Sequence, residues 1–343
     1  MKRLKFTVGL LSLSVLGIAL CSLPRVSALQ EQAVNPKPTP ASQVHLPLAT
    51  LRRDFKSGFP IPAGEKLEYE IRYSRFPLYV TVGVVTFEFL GPAKFDEVGT
   101  TGSAVPALDR LPVIAGLNVA FKPSPEDQFL RLRASAISKG LLIAIVGYDV
   151  KDRFETLVNP QDFSARLSFK EIKEGKKHRA LAALFNLEPK TVKFTDNDLN
   201  NPQAAPKEKL AEREDGMLDL LSAFYFLRMQ KMKEGQLIRF PVNDDGDNFW
   251  FDIVVGKHEK LKTDCGKIKT IKVEPKILGP GQLISRPGEM TMWMTDDNLH
   301  IPLKLVAKTS SGTVKANLLN FKNRCKLIDD EDQKKPATRE LKK

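Results

Sequence analysis

The chain has 343 residues, of which 42% are hydrophobic and 27% charged, and its formal net charge is +12 at pH 7. These proportions exclude a mostly disordered chain, a collagen-like polymer and a polytopic membrane protein. The length accommodates one large domain or two modest ones.

The N-terminus has the pattern of a secretory signal peptide. Basic residues within the first five positions precede an uncharged run from Phe6 to Leu23, and Val26 and Ala28 have the spacing of a cleavage site. We expect residues 1–28 to be removed and the protein to be periplasmic or secreted. An uncleaved anchor is the minority alternative, because the run approaches the about 20 residues that span a bilayer.

The basic charge bears on the choice of partner. Removing the leader takes away four basic residues and no acids (Lys2, Arg3, Lys5 and Arg25), which lowers the net charge from +12 to +8. The remaining excess is spread through mixed segments such as 170–177, without stacking aromatic residues between the basic ones. Nucleic acid is therefore not expected. A lipid or anionic glycan of the envelope fits the charge, with peripheral or no membrane contact after cleavage.

Composition divides the mature chain into three parts. Residues 29–58 include Asn35–Pro40, where three prolines alternate with other residues, and are expected to form an extended linker. Residues 326–343 are charged and poor in apolar side chains, which is typical of a flexible tail. The range 59–325 is expected to be a single β-rich domain.

Most of this domain has a two-residue hydrophobic period. Apolar and polar side chains alternate within Leu67–Tyr73, Val85–Phe89, Leu130–Ala136, Phe249–Val255, Met290–Met294, Leu303–Ala307 and Val314–Leu318. Such alternation is typical of antiparallel strands with one face in the core. Asn243–Gly246 and Ser310–Gly312 are expected to be hairpin turns, and Lys257–Gly266 a looser connection.

One segment has a helical period instead. Its apolar residues lie close to one stripe from Asp215 to about Glu234, with Asp215 as the expected N-cap and Gly235 as the terminator. A helix of this kind covers an exposed sheet face. The predicted fold is mainly β: a large curved antiparallel sheet or half-barrel with at least one packed α-helix.

Three motifs, in this order, resemble an exported bacterial family, the domain of unknown function 3108. They are Gly64–Tyr69 at the start of the domain, Asp219–Arg228 in the helix, and Met292–Asp297 followed by Ile301-Pro302. The resemblance covers about Phe59 to Phe321. It implies a fold and a compartment, since the family carries no agreed activity.

A looser likeness is to the half-barrels of periplasmic lipoprotein carriers. It depends on a tryptophan strand at Trp293, an acidic turn at Asp296-Asp297, a proline strand start at Pro302 and a glycine hairpin at Gly312. Because one fold serves many functions, this likeness concerns architecture.

Catalytic and metal-binding signatures are scarce. The sequence has no G-x-S-x-G, G-x-x-x-x-G-K or H-E-x-x-H motif, and its four histidines are far apart, so we expect neither a metal nor a cofactor. Asp296 and Asp297 are the best carboxylate pair for acid–base chemistry. The alternative is that one caps a turn while the other faces water, because neighbouring residues point to opposite sides.

Four further side chains are candidates for ligand binding. Tyr225 and Arg228 lie on the helix, where Arg228 would need a partner from the sheet. Trp250 and Trp293 each lie between two apolar residues of a strand, so their indoles are expected on the face away from the core. The alternative is that both sheet faces are covered.

Cys265 and Cys325 remain after leader removal. An even number of cysteines in an oxidising compartment permits a disulfide. The bridge would close a loop of about 60 residues and add about 4 kcal/mol in the chain-entropy model. Separate free thiols are the alternative.

These observations favour a non-catalytic envelope protein over an enzyme. The preferred hypothesis is a groove between sheet and helix that binds an apolar or glycan ligand. The alternatives are a glycan-acting hydrolase that uses Asp296 or Asp297, and a structural or assembly factor that acts through protein contacts.

Overall fold

The structure is a computed structural model that describes residues 46–56, 58–94, 128–139, 149–278, 290–309 and 312–319. These ranges contain fourteen β-strands in one sheet and one α-helix, α1 (Leu220–Arg228). The strands are β1 Glu65–Arg75, β2 Leu78–Lys94, β3 Gln128–Ser138, β4 Lys151–Val158, β5 Ala165–Glu174, β6 Lys177–Asn186, β7 Thr191–Asp198, β8 Lys207–Glu212, β9 Leu237–Asp244, β10 Asp247–Thr263, β11 Gly266–Leu278, β12 Met290–Thr295, β13 Pro302–Thr309 and β14 Gly312–Leu318. The expected leader 1–28 and tail 326–343 lie outside the described residues.

The first and last strands meet in the middle of the sheet. The order is β8-β7-β6-β5-β4-β3-β2-β1-β14-β13-β12-β11-β10-β9, and every neighbouring pair is antiparallel. Tyr69 of β1 stands opposite both Val85 of β2 and Leu318 of β14. The chain therefore meanders outward to β8, crosses through α1, and returns from β9 to β14. This confirms the predicted curved antiparallel sheet with a packed helix.

The sheet is not closed, because β8 and β9 do not pair within the described ranges. A side-chain hydrogen bond connects β10 with the end of β8, and two short bridges cover the edge of β9. Asn248 donates from Nδ2 to the Glu212 carbonyl at 2.6 Å, and Leu218, just before α1, forms a parallel bridge with Val242 of β9. Leu48 bridges Leu237 in the same way. These contacts shield the edge of β9, which would otherwise offer unpaired backbone groups.

The linker expected over residues 29–58 is wrong for the part that the structure describes. Phe55 is buried, and its ring lies 5.3 Å from that of Phe59 and 5.9 Å from that of Phe163. The amide of Arg52 donates to Gln230 Oε1 at 2.7 Å. Residues 46–56 therefore belong to the packed domain. Burial of the Phe55 ring is favourable, and an extended linker would leave this ring in water. The earlier residues of the expected linker lie outside the described ranges.

The helix is shorter than the predicted range 215–234. It begins after Asp219, whose carboxylate accepts from the Ser222 amide at 2.8 Å while Ser222 Oγ accepts from the Asp219 amide at 2.9 Å. This reciprocal capping box fixes the N-terminus four residues later than the expected cap, Asp215. Met229 is the C-cap, and Gly235 lies in the connection to β9 rather than at the helix end.

The hairpin predicted at Asn243–Gly246 is confirmed. Asp244 stands opposite Asp247, and Asp245 and Gly246 both have positive φ angles, as a two-residue turn of this kind requires. Thr309 stands opposite Gly312 in the second predicted hairpin, whose Ser310 and Ser311 lie outside the described residues. The looser connection expected over 257–266 is wrong, because this segment continues β10 and forms a tight hairpin with β11.

No helix in the described part of the chain is long and apolar enough to cross a membrane.

Candidate functional site

Helix α1 lies against the inner face of the sheet and is buried along its whole length. None of its nine residues exposes more than 7% of its surface. Phe224 stacks on Phe87 of β2 with 4.5 Å between ring centroids, and Phe226 meets Phe240 of β9 edge-on at 5.4 Å. A helix that is buried on every side and apolar except for Ser222 and Arg228 is typical of a core element. The helix therefore forms an inner wall of the molecule.

Two adjoining pockets follow the helix on the inner face, and we call them together the groove. The cavity volume open to water-sized spheres is about 40 Å³ in the pocket beside the first turn of α1 and about 20 Å³ in the pocket beside Phe224. All the non-atom space around them, solvent at the open mouths included, amounts to about 490 and 320 Å³. Val85 and Phe87 line both pockets. The first is also lined by Ala134, Ala136, Phe154, Ser168, Lys170, Asp219, Leu220 and Leu221, and the second by Tyr69, Phe224, Met292, Pro302, Lys304, Leu305 and Ala316.

The space in the first pocket has a simple cause in the strand register. Ala134 of β3 stands between Phe87 of β2 and Phe154 of β4, and Ala136 stands opposite Val85. Two methyl side chains among longer apolar ones leave a depression in the inner face. The wall that results is apolar, and water in it would have few hydrogen-bond partners.

The first pocket has polar groups at one end. The Asp219 carboxylate there accepts hydrogen bonds from Thr156 Oγ1 at 2.6 Å and Ser168 Oγ at 2.8 Å, besides those from Ser222. Lys170 donates from Nζ to Asp244 and Asp245 of the β9–β10 turn. The ammonium of Lys170 is thus matched by carboxylates. This end of the groove offers hydrogen bonds without a net positive charge.

A buried ion pair holds the other end of the helix. Arg228 donates from Nη1 and Nη2 to the two carboxylate oxygens of Glu65 at 2.6 and 2.9 Å, and both side chains are almost completely buried. Burial lowers the pKa of the Arg228 guanidinium, but the hydrogen bonds and charge of Glu65 outweigh burial and raise it above its usual value. The pair is therefore charged, and each partner satisfies the other.

The same network extends to the turn between β12 and β13. The Arg228 carbonyl lies 2.9 Å from His300 Nδ1, which must carry the proton because a carbonyl only accepts. Burial lowers the pKa of His300. The amide of His300 donates in turn to Asp297 Oδ1 at 2.9 Å. Strand β1, helix α1 and this turn are thereby tied at one point.

Tyr225 lies beside this network with its ring fully buried. Its ring centroid lies 5.7 Å from that of Phe89 and 5.6 Å from the Arg228 guanidinium carbon. The hydroxyl has no hydrogen-bond partner among the described residues, and burial raises its pKa well above the usual value. Tyr225 is thus a neutral core residue with one unused polar atom.

Comparison with known sequences decides the family. A profile described as "Protein of unknown function (DUF3108)" matches residues 117–319, more than half of the chain. The chain belongs to the DUF3108 family. This confirms the family that the three sequence motifs predicted.

Two further comparisons concern this DUF3108 chain. No curated protein matches it. Among solved structures, it is similar to the "Crystal Structure of Beta-barrel-like Protein of Domain of Unknown Function DUF1849 from Brucella abortus". The TM-score is 0.44 and the identity 10%, over 75% of this chain and 96% of that chain.

The two aspartates of the DUF3108 chain have separate structural tasks. Asp297 Oδ1 accepts from Thr295 Oγ1 and from the amides of Leu299 and His300 at 2.8–2.9 Å, which caps the turn. Asp296 instead pairs with His258 at 3.0 Å on the surface. Asp297 is thus committed to the turn and Asp296 to His258, so each carboxylate has its own partners among the described residues. The geometry therefore favours the turn-capping alternative over an acid–base pair.

The two tryptophans lie away from the groove. Trp250 of β10 is 46% exposed, whereas its neighbours Phe249 and Phe251 pack against the core. Trp293 of β12 is half-buried: its indole N–H donates to Glu259, and Lys304 Nζ lies 5.0 Å above its ring. Both indoles are on the side opposite the core residues of their strands, as their spacing predicted.

The structure thus separates the predicted site residues into two sets. Arg228, Tyr225 and Asp297 meet around the end of α1, while Asp296, Trp250 and Trp293 lie elsewhere. None of the six lines either pocket of the groove, and their part in ligand binding stays a prediction. Met292, the neighbour of Trp293, does line the groove, because residues next to each other in a strand point to opposite faces.

Two features of this region were not predicted from the sequence. Glu65 was not expected as the partner of Arg228, although it has the same strand parity as the buried residues Leu67 and Tyr69. The small residues Ala134 and Ala136 carry no signal of a pocket until their neighbours are known.

Cys265 is disulfide-bonded. Its partner lies outside the described residues, as does Cys325. The pairing of Cys265 with Cys325 therefore stays a prediction.

Proposed function

We propose that this DUF3108 protein is a non-catalytic protein of the cell envelope that binds a lipid acyl chain in the groove. The observation that carries the proposal is the pair of adjoining pockets beside α1, joined by Val85 and Phe87. Their walls are mainly apolar, and each buried CH₂ group of a ligand adds about 0.8 kcal/mol of affinity. A narrow apolar groove beside an aromatic-rich helix suits a single extended chain better than a bulky polar ligand.

The polar end of the groove indicates the headgroup. Ser168 supplies a hydroxyl there, and the carboxylates of Asp219, Asp244 and Asp245 offset the charge of Lys170. A phosphate would meet three carboxylates. We therefore assign an uncharged, hydroxyl-bearing headgroup such as glycerol, in the form of a monoacylglycerol.

The envelope location in this proposal is supported by the leader pattern of residues 1–28. Cell fractionation followed by N-terminal sequencing is the corresponding test. We expect the mature protein in the periplasm or the medium, beginning at Leu29. A chain that begins at residue 1 and sediments with membranes would favour an uncleaved anchor.

Displacement of a fluorescent monoacylglycerol tests the groove. We expect the glycerol monoester of cis-parinaric acid, which carries no charge, to bind the protein and unlabelled monoacylglycerol to displace it. Ala136→Phe places a ring in the first pocket and is expected to weaken binding about tenfold or more, equivalent to about 1.4 kcal/mol. Ile137→Phe is the matched control, because Ile137 is the next residue of β3 and points to the exposed face.

Two results would contradict the proposal. One is a wild-type protein that does not bind the probe, and the other is an Ala136→Phe variant with unchanged affinity and an intact unfolding transition. Displacement by soluble oligosaccharides but not by monoacylglycerol would show a glycan ligand instead.

A further inference from the structure

The turn between β1 and β2 exposes an unusual group of apolar side chains. Phe76 is 87% exposed, Tyr79 71% and Leu78 42%, and with Pro77 they form four consecutive residues that we call the tip. Other exposed large apolar residues in the described ranges stand singly along the chain, which is ordinary for a protein surface. A contiguous exposed apolar group marks an interaction site.

The tip extends beyond the described parts of the strands on either side of it. Among the described residues, β3 pairs with β2 from Gly83 onward, and β14 pairs with β1 as far as Ser74. Residues 75–79 therefore form the end of a two-stranded ribbon. Because successive residues of a ribbon point to opposite faces, Leu78 and Tyr79 make the tip apolar on both sides.

Cations surround the tip at this end of the sheet. Arg75 adjoins it in the chain, Lys139 follows β3, and Lys308 of β13 stands opposite Thr313, which itself stands opposite Ser74. The amide of Lys139 donates to the Val82 carbonyl at 3.0 Å, which fixes its position beside β2. All three side chains are exposed and join no ion pair within the described residues.

We propose that the tip inserts into the headgroup region of a phospholipid bilayer that contains anionic lipids. Phe76 and Leu78 supply the apolar part, and Tyr79 supplies an aromatic ring of the kind found at membrane interfaces. Arg75, Lys139 and Lys308 complement lipid phosphates. A bilayer surrounds a projecting tip that is apolar on both faces, whereas a protein partner with a flat patch would cover only one.

Vesicle flotation with the full chain tests the proposal. We use vesicles of phosphatidylcholine and phosphatidylglycerol at 3:1, with pure phosphatidylcholine for comparison. Phe76→Ser and Tyr79→Ser are each expected to weaken binding about tenfold. Leu210→Ser is the matched control, because Leu210 of β8 is as exposed as Tyr79 but lies outside the tip, and it is expected to bind like the wild type. Each of Arg75→Gln, Lys139→Gln and Lys308→Gln is expected to cost about fivefold on the anionic vesicles alone.

A local probe separates the tip from any other membrane-binding segment, including the leader. Phe76→Trp fluorescence is expected to be quenched by brominated lipids, above the level of the parent protein, whereas Leu210→Trp is not. Bound protein without quenching at residue 76 would overturn the proposal. A protein that does not bind vesicles would also overturn the proposal. Loss of a protein partner in the tip variants would then indicate a protein-binding site instead. The groove is tested with free ligands, so its failure and the failure of the tip are distinguishable.

Discussion

Arg228 and Glu65 form a bidentate ion pair in the protein core, although they are 163 positions apart in the chain. Arg228 is the last residue of α1 and Glu65 the first residue of β1. Arg228 Nε also lies 3.3 Å from the Leu299 carbonyl. The pair therefore fixes where the helix ends against the sheet.

Removing one partner of this pair is expected to destabilise the protein strongly. Glu65→Gln leaves the Arg228 charge buried without a counter-charge, which costs about 3–5 kcal/mol. The double variant Glu65→Leu/Arg228→Met removes both charges and is expected to recover at least half of that loss. Urea unfolding measures both. Arg72→Ala breaks the exposed pair with Glu70 and serves as the control, with a loss under about 1 kcal/mol. A single variant as stable as this control would show that the core pair is not structural.

The start of the helix gives a second prediction. Asp219→Ala removes the N-cap together with the acceptor of Thr156 and Ser168, and we expect a loss of about 2–4 kcal/mol in the free energy of unfolding. Asp215→Ala is the control, since Asp215 is exposed and only pairs with Lys190. If Asp215→Ala were the more damaging variant, the helix would begin where its sequence pattern first suggested.

The strands were predictable because their alternation is a local property. Leu67, Tyr69 and Ile71 are all buried on the inner face, as their period requires. The same alternation places Glu65 on the inner face, so the burial of this carboxylate could be predicted from the sequence. Its pairing with Arg228 could not be predicted, because the pairing depends on how α1 crosses the sheet.

The helix boundaries were predictable only in part, because apolar residues before the helix are buried through pairing with strands and not through helix formation. Met217 and Leu218 continue the apolar stripe, but their backbones pair with Ala165 of β5 and with Pro241 and Asn243 of β9. The groove was not predictable as a set of residues. Ala134 and Ala136 become its floor only through the register with their larger neighbours.

Asp152 predicts an unusual dependence of stability on pH. Burial, and then the charge of Glu174, raises the pKa of Asp152 to about 8, while an unfolded aspartate titrates near about 3.9. Between these values the folded state keeps a proton that the unfolded state has lost. The contribution of this group is therefore most favourable below about pH 4 and falls as the pH rises to about 8.

Asp152→Asn is expected to remove this loss, because the amide oxygen still accepts from the Lys173 amide. The free energy of unfolding of the variant minus that of the wild type should be larger at pH 8.5 than at pH 5, by more than about 1 kcal/mol. Urea midpoints at the two pH values measure the difference. Asp149→Asn is the control: the hydrogen bond from Lys151 lowers the pKa of Asp149, so its replacement should not stabilise the protein at pH 8.5. Equal gains at both pH values would contradict the assignment.

The disulfide of Cys265 is expected to join Cys325. A non-reducing peptide map should show one cross-linked peptide that contains both residues, and reduction should release it. Cys265→Ser/Cys325→Ser is expected to lose about 4 kcal/mol in the chain-entropy model. A map in which Cys265 is linked to Cys21 would contradict this pairing and the removal of the leader together.

Photo-cross-linking with a diazirine-bearing monoacylglycerol reports where an acyl chain lies in the protein. We predict labelled peptides from β2, β3 and α1, with modification at residues such as Val85, Ala136 and Leu221. Unlabelled monoacylglycerol should compete, and Ala136→Phe should abolish the signal. Labelling confined to the tip at residues 76–79, or labelling that no competitor reduces, would contradict a binding groove between the helix and the sheet.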